Sequence, residues 1–287
     1  MTAEPQADQA GAVIGTAAGV PFLAVPPHGG PRPDAPVVLA WHLIDPPRSE
    51  RAFAAALPLR GLDAWRIYLG LPLSGSRMPA GGLDELMRLG YEDAVMNVHM
   101  RVVYGAAEEL AAAFSELRER LGIADGPVGV MGGSNGAAVA ELVMAESDVD
   151  VGAAVLVSPV VRLRAAVSAM ERRYGVTYPW SEESNAVADR LDFVARAGEI
   201  ARPNHPAVLF VVGEDDDPEF REQAAALQAA LAAAGVEGDQ SRLVTVPDMP
   251  HALADEPGVE PAPQTPHAAA VDRLAVDWFE RNLTAGG

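Results

Sequence analysis

Short apolar runs alternate with amphipathic stretches along most of the chain. "PVVLAWHLI" (36–44), "DAWRIYLGL" (63–71), "VGVM" (128–131), "VGAAVLVSP" (151–159), "AVLFVVG" (207–213) and "SRLVTVP" (241–247) each read as a strand. Between them, helical periodicity predicts helices near 49–60 and 106–121, directly after Ser134, and near 218–234 and 269–282. Strands covered on both faces carry continuous apolar runs, and crossover helices supply the cover. The pattern therefore predicts an α/β fold, a mostly parallel twisted sheet with helices on both faces. The early run "GVPFLAVPP" (19–27) predicts one or two antiparallel edge strands.

Two stretches break this rhythm. Residues 72–105 predict irregular structure. Residues 161–205 show helical patterns and no clear strand, which predicts a small helical lid inserted between two strands. The expected organisation is a single domain over 1–287, with a core of about 12–160 and 206–284 and a lid of about 161–205. Within the lid, Tyr174, Tyr178 and Trp180 either line an apolar pocket or form the lid's own core. No internal repeat is visible.

Composition narrows the chemistry. The 40 acidic and 21 basic residues give a formal charge of −19, which repels phosphate backbones and anionic membranes. Neither nucleic acid nor a membrane is an expected partner. Lysine is absent, which excludes a Schiff-base lysine and a lysine-bearing phosphate loop. Cysteine is absent too, which excludes disulfides, a thiolate nucleophile and Cys-ligated zinc. The segment "MTAEPQADQAGAVIG" lacks the basic and apolar regions of a secretory leader, and no run of roughly 18 apolar residues suggests a membrane span. A soluble cytoplasmic protein is expected, with homodimerisation left open.

Gly132-Gly133-Ser134-Asn135-Gly136 matches G-x-S-x-G at a predicted strand-to-helix junction. In that setting a strained turn pushes a serine hydroxyl out beyond the sheet edge, exposed for attack. A plain tight turn is the bland alternative. Serine becomes a nucleophile only when a base takes its proton, and an acid must hold that base. After "AVLFVVG" come Asp215, Asp216, Asp217 and Pro218. Proline in the first helical position makes Asp217 the expected N-cap. Asp216 is the expected triad acid, with its neighbours as alternatives. Of the six histidines, His251 alone lies just past the last strand, where a loop can carry it over the serine. His28 reads as a turn residue, His99 as packed or exposed, and His205 as lying at the wrong end of a strand. His267 reads as surface linker, and His42 as a brace for its loop. An oxyanion hole needs two N–H donors, expected from the amides of Asn135 and Ile44. No motif calls for a metal or an organic cofactor.

"GGSNG", "VVGEDDDPEF", "VPDMPHALADEP" and "AVDRLAVDWFERNL" together resemble the α/β-hydrolase superfamily, in particular its dienelactone-hydrolase-like and prolyl-oligopeptidase-like branches. The resemblance covers roughly residues 36–283 and implies the chain order Ser134, Asp216, His251. Two departures stand out. His42 is followed by Leu43 where such proteins often have glycine, and the dienelactone hydrolases use cysteine where this chain has Ser134.

The expected activity is hydrolysis of a small-molecule carboxylic ester through an acyl-enzyme. Acyl transfer, thioester hydrolysis or peptidase activity on the same triad are the alternatives, and a non-catalytic binding protein of the same fold is a further one.

Overall fold

The computed structural model describes residues 11–201, 206–236 and 238–283. His205 lies outside them. Eight strands form one sheet: β1 (Val13–Ala17), β2 (Val20–Val25), β3 (Val37–Trp41), β4 (Trp65–Leu69), β5 (Val128–Gly133), β6 (Val151–Val157), β7 (Ala207–Gly213) and β8 (Ser241–Val246). Their order is β1-β2-β4-β3-β5-β6-β7-β8. β2 runs antiparallel to both neighbours, and every other adjacent pair is parallel. The 19–27 run thus supplies an interior strand. The edge is β1, which the hydrophobic pattern missed because Gly15 and Thr16 dilute it and Ile14 faces solvent.

Successive strand residues feed two separate cores, which is why the central strands read as unbroken apolar runs. Val37, Leu39, Trp41, Val208, Phe210 and Val212 face α3 (Met100–Leu121), α4 (Asn135–Glu146) and α8 (Pro218–Ala233). Val38, Ala40, Leu209 and Val211 face α1 (Glu50–Ala56) and α9 (Pro266–Asn282) on the other side. α4 is buried all round, since it packs on β5 with α3 and α7 (Ala197–Ile200) against it. Between β6 and β7 the chain forms α5 (Leu163–Tyr174), α6 (Glu182–Arg190) and α7. α9 begins at Pro266 with Thr265 as its cap, so His267 is helical rather than linker.

The stretch 72–105 is not irregular. It holds α2 (Gly82–Asp93), then a π-helical turn (Ala94–His99) that runs into α3. At Asp93 the backbone extends to φ −161°, ψ 96°, and its carboxylate accepts from Met96 N at 2.9 Å. The break resets the helical phase between buried Leu86 and buried Val95, so no single 3.6-residue period spans both sides. No helix among the described residues is long and apolar enough to cross a membrane.

Candidate active site

Ser134 is the single residue between β5 and α4, with φ 51° and ψ −117°, a strained conformation for a residue with a side chain. The turn is possible because the flanking backbone is bare. A β-carbon at Gly136 would collide with the carbonyl oxygens of Trp41 and His42, and one at Gly133 with the side chain of Leu43. Leu43, the departure from the family pattern, is fully buried and packs beneath the elbow.

His251 reaches this elbow from the loop after β8. That loop crosses the end of β7, where Glu214 N donates to Val246 O at 3.0 Å and Asp215 N to Met249 O at 3.1 Å. A β-carbon at Gly213 would collide with the Met249 carbonyl, so the crossing depends on glycine there. The imidazole Nε2 lies 3.0 Å from Ser134 Oγ, and Nδ1 lies 2.9 and 3.1 Å from the two carboxylate oxygens of Asp216. A carboxylate only accepts, so Nδ1 carries the proton and Nε2 offers its lone pair to the hydroxyl. Phe220, in the first turn of α8, packs on the ring at 4.5 Å between centroids.

The three aspartates separate cleanly. Asp216 is buried and also accepts from Asp217 N at 2.8 Å. Asp217 caps α8, accepting from Glu219 N at 2.9 Å, with Pro218 in the first helical position. Asp215 is exposed.

One expectation is corrected. Ser134 is not exposed: it retains 3% of its accessible surface, walled by the elbow's close packing and hydrogen-bonded to the imidazole.

Burial opposes a charge on His251, but the hydrogen bond that its Nδ1 donates to Asp216 and the negative charges of Asp216 and Asp45 outweigh it, despite opposition from Arg173. The imidazole pKa is therefore raised above its ordinary value.

The loop after β3 is held from both sides. His42 is buried and neutral, with its pKa pushed down to about 4 by burial. Its Nδ1 donates to Leu43 O at 2.6 Å and its Nε2 accepts from Leu71 N at 3.1 Å. Because a trans peptide sets C=O and N–H on opposite sides, anchoring the Leu43 carbonyl turns Ile44 N–H away from His42. Ile44 O accepts from Arg48 Nε at 2.8 Å. Asn135, the other expected donor, opens α4, and its side-chain Oδ1 lies 2.8 Å from His99 Nδ1.

Sequence reasoning missed two polar groups here. His99 is half-buried against Asn135, brought there by the π-helical turn, and no sequence signal marks that turn. Asp45 Oδ2 stands 3.8 Å from His251 Nε2. Nothing in its sequence setting separates it from the other acids of the chain. His28 is distant, bonded to Arg60 O at 2.9 Å.

Sheet order, elbow and converging side chains define an α/β-hydrolase, and solved structures agree. Protein TT1662 from Thermus thermophilus has a TM-score of 0.61 at 17% identity, covering 96% of this chain and 98% of that one. Carboxyl esterase 2 from the mycorrhizal fungus Tuber melanosporum has a TM-score of 0.59 at 17% identity, over 98% and 89%. The acylaminoacyl peptidase of Pyrococcus horikoshii has a TM-score of 0.60 at 14% identity, over 92% of this chain and 39% of that one. At such identities the likeness is one of fold. Among curated proteins no sequence match was found. The prolyl oligopeptidase family matches residues 99–284, and the chain belongs to that family of serine hydrolases. The match takes in Ser134, Asp216 and His251 and leaves out the loop that carries Ile44.

Proposed function

We propose that the protein hydrolyses carboxylic esters of small molecules through an acyl-enzyme on Ser134. The observation that carries this reading is the unbroken hydrogen-bond line from Ser134 Oγ through His251 to Asp216, at 3.0 and 2.9 Å. Oγ attacks the ester carbonyl carbon while Nε2 takes its proton, and Asp216 holds the tautomer and balances the imidazolium. The amides of Asn135 and Ile44 receive the charge developing on the carbonyl oxygen. Collapse of the tetrahedral intermediate breaks the bond to the alcohol, which leaves with the proton from Nε2. Water, deprotonated by the same nitrogen, then releases the acid and restores Ser134. The α5–α7 segment serves as a lid over this rim.

A second reading, amide hydrolysis, is favoured by the family match and by the acylaminoacyl peptidase likeness. The chain spans well under half the length of that peptidase.

The test is labelling with a fluorophosphonate, scored by mass at Ser134, beside turnover of short p-nitrophenyl esters and aminoacyl amides. Labelling at Ser134 that disappears in Ser134→Ala, together with ester turnover, supports the reading. A wild-type protein that takes no label ends it.

A further inference from the structure

Beside Ser134, one at His251 and one at Asn135, lie two hydrogen-bond acceptors that the acyl-enzyme chemistry does not use. Asp45 Oδ2 lies 3.8 Å from His251 Nε2, the nitrogen that also bonds Ser134 Oγ. Its side chain is 53% exposed, and among the described residues no arginine pairs with it. Most other acids around this rim are occupied: Asp216 by His251, Asp217 and Glu219 by Arg172, and Glu256 by Arg48. Asp45 remains open.

His99 is the second acceptor. Its Nδ1 faces Asn135 Oδ1 at 2.8 Å, and an amide oxygen only accepts, so Nδ1 carries the proton. Burial disfavours a second proton, although Asn135 and Asp45 both oppose that effect. Nε2 is then a bare lone pair, and the charge of Asp45 is felt at this ring as it is at His251. A carboxylate and a neutral imidazole bordering one reaction centre complement a group that donates hydrogen bonds and carries positive charge. A neutral acyl chain would leave the Asp45 carboxylate without a partner as substrate displaces water.

We propose that Asp45, with His99 beside it, is a specificity-determining residue that accepts a protonated amine on the carbon next to the scissile carbonyl, so that the favoured substrates are amino-acyl esters or amides. This rests on the hydrolase reading given above and narrows it.

The experiment compares alanine methyl ester with methyl isobutyrate, which differ in an ammonium against a methyl group, near pH 7 where an α-amine is largely protonated. Methanol release gives kcat/KM for wild type, Asp45→Asn and His99→Asn. Protection of Ser134 from fluorophosphonate by alaninamide and by isobutyramide gives the same comparison without turnover. The expected result is a preference of about tenfold or more for the charged ligand, weakened by salt. In Asp45→Asn it falls about tenfold, and in His99→Asn it falls less. An equal loss for both ligands in Asp45→Asn overturns the proposal, as does a wild type with no preference. Absence of fluorophosphonate labelling overturns the hydrolase reading and this proposal with it. Labelling without an amine preference overturns this proposal alone.

Discussion

Arg48 and Glu256 tie together the two loops that meet over Ser134. The guanidinium binds the carboxylate through two prongs, Nη1–Oε2 at 2.7 Å and Nη2–Oε1 at 3.0 Å, while its Nε holds the Ile44 carbonyl. Backbone joins in, with Arg48 N donating to Gly258 O at 2.6 Å and Ser49 Oγ to Val259 O at 2.6 Å. One side chain thus sets the loop bearing the proposed oxyanion donor against the loop bearing His251.

Arg48→Met should therefore lower kcat/KM for a short ester by about 10–100-fold, the scale of a displacement near 1 Å at a reaction centre. Glu256→Gln, which keeps one neutral acceptor for the guanidinium, should cost less. Steady-state kinetics on both variants checks the order, and a smaller effect from Arg48→Met would contradict it.

The separate duties of adjacent aspartates give a paired test. Asp216→Asn should reduce kcat on the order of 10⁴-fold, because the amide permits the wrong imidazole tautomer. Asp217→Ala should cost about 1 kcal/mol of stability as a lost cap while keeping activity within a few-fold. Denaturation curves beside kinetics separate the two, and swapped outcomes would move the acid to Asp217.

The pH profile has a fixed sign. A histidine works as a general base only when neutral, and the pKa of His251, the proposed base, is raised by Asp216 and Asp45 against burial and Arg173. The ring's other close neighbours, Ser134 and Phe220, carry no charge. The acid limb of kcat/KM should therefore lie above pH 6.5, with activity appearing as pH rises through it. Asp45→Asn should shift that limb to lower pH. A wild-type limb centred below pH 6 would contradict the arrangement.

Glu141 offers a stability test away from the chemistry. It is fully buried in α4, neither carboxylate oxygen has a hydrogen-bond partner among the described residues, and burial raises its pKa well above the ordinary 4.5. With the folded value above the unfolded one, the folded state holds the proton longer, so this group erodes stability as pH rises past 4.5. Glu141→Met should stabilise the protein by about 1–3 kcal/mol at pH 8, and by less at pH 4. Urea unfolding at both pH values measures this. A destabilised variant would mean that Glu141 has a partner.

The parts of this protein legible in its sequence are those where one local rule decides. The central strands showed because each feeds two cores, and the elbow showed because only bare backbone fits between Leu43 and the Trp41 carbonyl. Asp217 showed because Pro218 follows it. What stayed hidden depended on distant partners. β1 is a strand because β2 pairs with it, although its own residues alternate weakly. The Arg48–Glu256 tie joins positions far apart in the chain. Asp45 reads as one more acid in a chain with 40 of them until the fold sets it beside His251.

The π-helical turn before α3 has a geometric consequence. Such a turn takes one residue more than an α-turn, and Met100 N accordingly reaches back to Val95 O. An α-helix advances about 100° per residue, so removing a single residue between Ala94 and Val98 would regularise the coil and swing the following imidazole off the Asn135 amide. One deleted codon would act there as a rotation, with every strand of the sheet left in place.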